Sequence, residues 1–128
     1  MKVLLDSHAF LWATTDDARL SETARNLLRA PEHDLFLSAA SAYELAWKAG
    51  SGALVLPSEP TRWIETRMQA FGVRALPVTW EHAAAAARLP PIHRDPWDRI
   101  LVAQARAEGV ALLTIDARIR RYDVETIW

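Results

Sequence analysis

The chain has no cysteine, which excludes a disulfide framework, a zinc–thiolate centre and a cysteine nucleophile. No apolar run approaches the ~20 residues of a membrane span. The N-terminal apolar run Val3-Leu4-Leu5 is broken by Asp6, which spoils any secretory core. A cytoplasmic protein with no membrane attachment is therefore expected. There is no Gly-rich phosphate loop of the Walker type and no Gly-x-Gly-x-x-Gly, so nucleotide binding of those kinds is not expected. No Asp-x-Asp follows the first apolar run, which weighs against an aspartyl-phosphate phosphatase. Lysine is scarce: of fifteen basic residues only Lys2 and Lys48 are lysines. With a net charge of −1, the field of the whole molecule will not draw in nucleic acid unaided.

What is present is enough apolar matter for one core. A chain of 128 residues that is 51% hydrophobic, with six tryptophans, is one folded domain spanning 1–128 rather than a disordered polymer. Short, wholly apolar runs mark strands covered on both faces: Val3-Leu4-Leu5, Leu35-Phe36-Leu37 and Val110 to Ile115. A further strand lies within Val73 to Val78, cut short by Pro77 as an edge strand would be, and Val124 to Trp128 forms a last edge strand. Ala53 to Pro57 reads as a short extended piece. Between them lie helices opened by cap residues: Ser21 before Glu22, Ser38 before Ala39, Ser58 or Thr61 before Trp63, and Thr79 before Trp80. Apolar strands alternating with helices predict an α/β fold in three layers, a mainly parallel sheet flanked by helices.

One stretch organises the rest: His93-Arg94-Asp95-Pro96-Trp97-Asp98-Arg99 and the apolar residues after it. Asp95 is a good N-cap, Pro96 suits the first helical position, and Gly109 supplies the stop. A helix start does not need the second carboxylate of Asp98, with Arg99 beside it and His93 just upstream. Asp98 at the third helical position is also a plain partner for the helix dipole. Asp6 and Asp116 each follow an apolar strand, where open α/β sheets bind ligands; each is also placed to cap the helix after it, for Asp116 a helix over Ala117–Arg121. Glu44 completes a Ser41-x-x-Glu44 capping box if the helix starts late. If it starts at Ser38, Glu44 lies nearly two turns inside, among Ala40, Tyr43 and Trp47, where an unpaired carboxylate is costly. His8 is expected to pack and make one hydrogen bond.

Asp6, Glu44, Asp98 and Asp116 are thus candidates for one cleft. Clustered carboxylates repel unless a cation intervenes, and an all-oxygen set suits Mg²⁺ or Mn²⁺. Such ions activate water and stabilise the charge of phosphodiester displacement.

Asp6-Ser7-His8 followed by Leu11-Trp12 resembles the opening motif of PIN-domain ribonucleases, in particular the VapC toxins of bacterial type II toxin–antitoxin pairs. The likeness continues through Ser41 to Lys48, Gly52 to Pro57, Leu89 to Arg99, Ala103-Gln104-Ala105 and Leu113-Thr114-Ile115-Asp116. The blocks stand in the family's order over nearly the whole chain. The resemblance implies a PIN fold, Mg²⁺- or Mn²⁺-dependent endoribonuclease activity on an RNA such as tRNA or rRNA, a homodimer, and a VapB-like antitoxin. Carried over by position, the catalytic and metal-binding acids are Asp6, Glu44, Asp98 and Asp116. Asp95 competes with Asp98 for the third place. Asp98 is favoured because the apolar pattern after the family's third acid best matches Arg99 to Ala103, and Asp95 already has a cap to make. Asp6 and Asp98 would hold the main ion, with Glu44 and Asp116 binding a second or ordering water. Ser7 or Thr114 would orient a ligand or phosphate oxygen. Arg99 and Arg94 are candidates for substrate contact or for a surface or capping role, and Trp97 stands where these toxins often carry Phe. Trp47, Trp63 and Phe71 would serve a partner surface or the core. Competing readings are a non-catalytic PIN-like binding module and a metal-dependent DNA nuclease or phosphatase on a similar sheet.

Overall fold

A computed structural model describes residues 1–128. The chain runs β1 (Lys2–Leu5), α1 (Ser7–Thr14), α2 (Glu22–Arg29), β2 (Asp34–Ser38), α3 (Ala39–Gly50), α4 (Pro60–Ala70), β3 (Val73–Leu76), α5 (Trp80–Arg88), α6 (Pro96–Glu108), β4 (Ala111–Leu113) and β5 (Thr126–Ile127). The five strands form one parallel sheet in the order β3-β2-β1-β4-β5. The apolar run of β1 is the reason it lies at the centre. Val3, Leu4 and Leu5 are all buried, and their alternation splits the interior in two. Val3 and Leu5 join Phe10, Leu45, Trp63 and Ile64 on one face. Leu4 joins Leu101, Val102, Ile119 and Tyr122 on the other. Trp63 is therefore core, its ring edge-on to Phe10 with centroids 6.5 Å apart, and does not serve a partner surface.

The caps fall largely where the chain marks them. Ser21, Ser38, Thr79 and Asp95 each accept hydrogen bonds from first-turn amides, and Gly109 ends α6 at φ 64°, a left-handed conformation that suits glycine. Three local expectations are corrected. The cap of α4 is Glu59, whose carboxylate accepts the N–H groups of Thr61 and Arg62, because Pro60 takes the first helical position. Residues 53–57 bend at Ala53, Leu54 and Pro57 instead of running extended and leave Val55 exposed. The helix expected after Asp116 shortens to a single 3-10 turn, Ile119–Arg121. Pro77 does stop β3 at the sheet edge, and β5 forms the opposite edge. No helix is long and apolar enough to cross a membrane.

Candidate active site

β1 and β4 are neighbours, yet the chain leaves them toward opposite sides of the sheet. This is the point where an open parallel sheet carries a crevice at the carboxyl ends of its strands. Asp6 follows β1 directly, its amide donating to the Leu113 carbonyl at 3.1 Å. Asp116 follows β4 by three residues, Glu44 enters from α3, and Asp98 from the first turn of α6. The four acids meet on a cavity of about 180 Å³ whose lining includes no hydrophobic residue.

Each carboxylate is held differently. Asp6 is buried, and its Oδ1 accepts the Ala9 N–H at 2.7 Å. Burial pushes its pKa up, against the Thr114 hydroxyl and that amide, which favour the charged form. Glu44 is not on the apolar surface expected from its sequence neighbours. The Ser7 hydroxyl donates to its Oε1 at 2.5 Å and the Lys48 ammonium to its Oε2 at 2.7 Å, so a buried charge is paired on both oxygens. Asp116 uses Oδ1 to accept the N–H groups of Arg118 and Ile119 and turns Oδ2 to His93 at 3.2 Å. Burial would raise its pKa, but the Ile119 amide, His93 and the Arg118 amide together hold it below the ordinary value.

Asp98 is the outlier. Burial, and then the charges of Asp95, Glu44, Asp116 and Asp6, push its pKa up to about 8. The His93 ring lies between Asp98 Oδ2 at 3.1 Å and Asp116 Oδ2 at 3.2 Å. Its Nδ1 accepts the Asp95 N–H at 3.2 Å, so the proton sits on Nε2, facing two carboxylates with one hydrogen to give. Asp116 receives it, and Asp98 is left with the unrelieved repulsion. A cavity that crowds five carboxyl groups, Asp95 among them, and drives one of them toward the neutral form fits a hard divalent cation, which supplies the missing positive charge. One oxygen each from Asp98 and Asp116 and a nitrogen of His93 lie within 4.8 Å of one another.

The remaining predicted residues divide. Ser7 lines the cavity through its bond to Glu44. Thr114 is fully buried behind it, accepting the Asp116 N–H at 3.0 Å. Arg99 turns away from the cavity, donating to the carbonyls of Ala86, Leu89, Pro90 and His93 and to the Tyr122 hydroxyl; it braces the segment that carries His93. His8 is exposed against the Trp12 ring and lines the acid cavity, rather than packing inside. Sequence reasoning left His93 and Lys48 out of the site. Lys48 was legible as the i+4 partner of Glu44. His93 offered only its proximity to Asp95.

Asp95 Oδ1 accepts the N–H groups of Trp97 and Asp98 at 2.9 and 3.3 Å, a cap that asparagine makes equally well. Because Asp95→Asn keeps the cap and removes a charge that repels Asp98, it is expected not to lower the melting temperature, whereas Asp95→Ala gives up about 1 kcal/mol of capping relative to it by thermal or denaturant unfolding. An Asp95→Asn protein as inactive as Asp98→Asn would reverse the assignment of the third acid.

Comparison with known proteins follows the same outline. The PIN domain family model matches residues 3–125. Ribonuclease VapC22 of Mycobacterium tuberculosis is 35% identical over 121 residues, which span 94% of this chain and 91% of that protein. The structure of VapBC2 from Rickettsia felis, bound to a DNA fragment from their promoter, superposes with a TM-score of 0.72 at 14% identity over 99% of this chain and 98% of that one. VapC20 of Mycobacterium tuberculosis, a sarcin–ricin loop cleaving toxin, superposes with a TM-score of 0.67 at 16% identity over 95% of each chain.

Proposed function

This chain belongs to the PIN domain family, and from that premise we propose that it is a metal-dependent endoribonuclease, the toxin of a type II pair silenced by a VapB-like antitoxin. The observation that carries the reading is the convergence of Asp6, Glu44, Asp98 and Asp116 on one polar cavity in a chain 35% identical to a ribonuclease over 94% of its length. Mg²⁺ or Mn²⁺ is the cofactor that the donor set favours, and Asp6 and Asp98 are the residues that would hold it, with Glu44 and Asp116 alongside. When bound, such an ion lowers the pKa of water and offsets charge that develops on a phosphodiester.

The protein's own groups do the positioning. Ser7 and Lys48 fix both oxygens of Glu44. The turn at Asp116 presents one oxygen to the cavity while the other is tied to the backbone. Lys48 Nζ, at the cavity wall, is the cation placed to meet a substrate phosphate. The substrate is an RNA, tRNA or rRNA, and the active form is a homodimer. Solved neighbours of the same fold include toxin–antitoxin complexes, which supports a small antitoxin as the partner.

Substrate class is the test. Purified protein, freed of any co-purified inhibitor, is given unstructured RNA, single-stranded DNA and a small phosphate ester in Mn²⁺. Cutting of RNA in preference to the others is the expected result. Hydrolysis of DNA or of the ester alone would replace the reading with the nuclease or phosphatase alternative. No cutting, together with no heat of Mn²⁺ binding, would make the chain a binding module.

A further inference from the structure

Beside the acid cavity lies an aromatic surface that packing does not require. Tyr43 and Trp47 are 58% and 59% exposed, although rings of this size ordinarily contribute most when buried. They stand four residues apart on α3, on one stripe of the helix, with centroids 6.2 Å apart and planes at 77°. Trp97, half-buried at the start of α6, closes the set at 6.0 Å from Tyr43 and 78°. Trp80 is more exposed but pairs with no other ring.

The position of the three rings gives them meaning. Tyr43 is the residue before Glu44, Trp97 the residue before Asp98, and Lys48 follows Trp47. Successive helical residues diverge by about 100°, so α3 and α6 each send one side chain into the cavity and turn the adjacent ring to a neighbouring face, where Tyr43 meets Trp97. The platform thus borders the acids along two of the elements that supply them. Charge argues the same way. At net −1, and with five carboxyl groups at the site, binding an RNA strand cannot rest on phosphate attraction alone. Stacking adds an attraction beyond that of Lys48 and a bound ion, since every base has a π-face and unpaired bases are recognised by aromatic side chains. Bases inside a duplex have both faces covered and gain nothing from such a surface.

Resting on the ribonuclease reading above, we propose that Tyr43, Trp47 and Trp97 form a stacking platform that holds the bases of the substrate beside the scissile phosphodiester.

The test compares an unstructured oligoribonucleotide with the same sequence annealed to its complement, for wild type, Tyr43→Ala, Trp47→Ala and Trp47→Phe. Wild type is expected to cut the unpaired strand and spare the duplex. Each alanine variant is expected to raise KM for the unpaired strand roughly ten-fold, with the larger part of the loss in KM rather than kcat, and Trp47→Phe to restore most of it. In EDTA the oligonucleotide is expected to quench tryptophan fluorescence of wild type, and to quench Trp47→Ala less. Unchanged KM in both alanine variants, or equal cutting of duplex, would overturn the platform while leaving the ribonuclease intact. So would a change of mass in light scattering that accounts for the lost affinity, because the rings would then be a contact between copies of the chain. A wild type that cuts no RNA at all would instead remove the ribonuclease reading, and this inference with it.

Discussion

Asp98→Asn is expected to abolish RNA cleavage and, without divalent cation, to make the protein more stable. Both effects come from one feature, a carboxyl group whose pKa is pushed from 3.8 to about 8 by burial and by Asp95, Glu44, Asp116 and Asp6. Between those values the folded chain keeps a proton that the unfolded chain has released, so the metal-free stability falls as pH rises from about 4 to about 8. Asparagine has no charge to desolvate. It should recover about 2–4 kcal/mol at pH 8, an allowance below the full shift because the site reaches solvent, and little at pH 4. For a domain of this size that corresponds to a rise in melting temperature of about 5–15 °C. Loss of a metal-holding carboxylate should at the same time lower kcat/KM by about a thousand-fold or more, roughly 4 kcal/mol of transition-state stabilisation. Melting curves in EDTA at pH 5 and pH 8, beside cleavage assays, check both halves. A variant that is inactive but no more stable at pH 8 than wild type would mean that Asp98 is not crowded as the geometry implies.

Arg99→Ala is expected to destabilise the protein by about 3–5 kcal/mol, or about 10 °C or more in melting temperature. Its guanidinium reaches the Ala86 and Leu89 carbonyls at 2.7 and 2.9 Å, and the Pro90 and His93 carbonyls at 3.0 and 3.2 Å. Ala86 lies in the last turn of α5 and Leu89 is its C-cap, where helix carbonyls run short of amide partners. Removing the side chain leaves the Leu89 and His93 carbonyls without a donor, takes one donor from those of Ala86 and Pro90, and frees the segment that holds His93 between Asp98 and Asp116. Lysine should not rescue it, because one ammonium cannot span acceptors that a planar fork reaches together. An Arg99→Lys protein with wild-type unfolding would contradict this.

Much of the frame is legible in the chain, for identifiable reasons. Val3-Leu4-Leu5 and Ala111-Leu112-Leu113 are apolar on every residue because both faces of the sheet are covered. Asp95-Pro96 and Gly109 bracket α6 because cap chemistry is local. Glu59 escaped notice because two better cap types, Ser58 and Thr61, flank it and Pro60 decides between them. The choice between cap and site for Asp6 and Asp116 proved a false opposition. Asp116 gives one oxygen to the backbone and the other to the cavity, and the carboxylate of Asp6 both caps α1 and lines the cavity. The roles of Arg99 and His93 were not readable, since each depends on partners brought near by the tertiary fold: Tyr122 for Arg99, Asp116 for His93.

The most direct measurement of the central claim is to titrate Mn²⁺ into EDTA-stripped protein and follow cleavage of an unstructured RNA beside the heat of metal binding, for wild type and Asp6→Asn. The expected result is no cutting without metal, cutting that saturates together with binding, and the loss of both in the folded variant. Cutting that persists in EDTA, or Mn²⁺ binding undiminished in Asp6→Asn, would contradict a metal-dependent nuclease built on these acids.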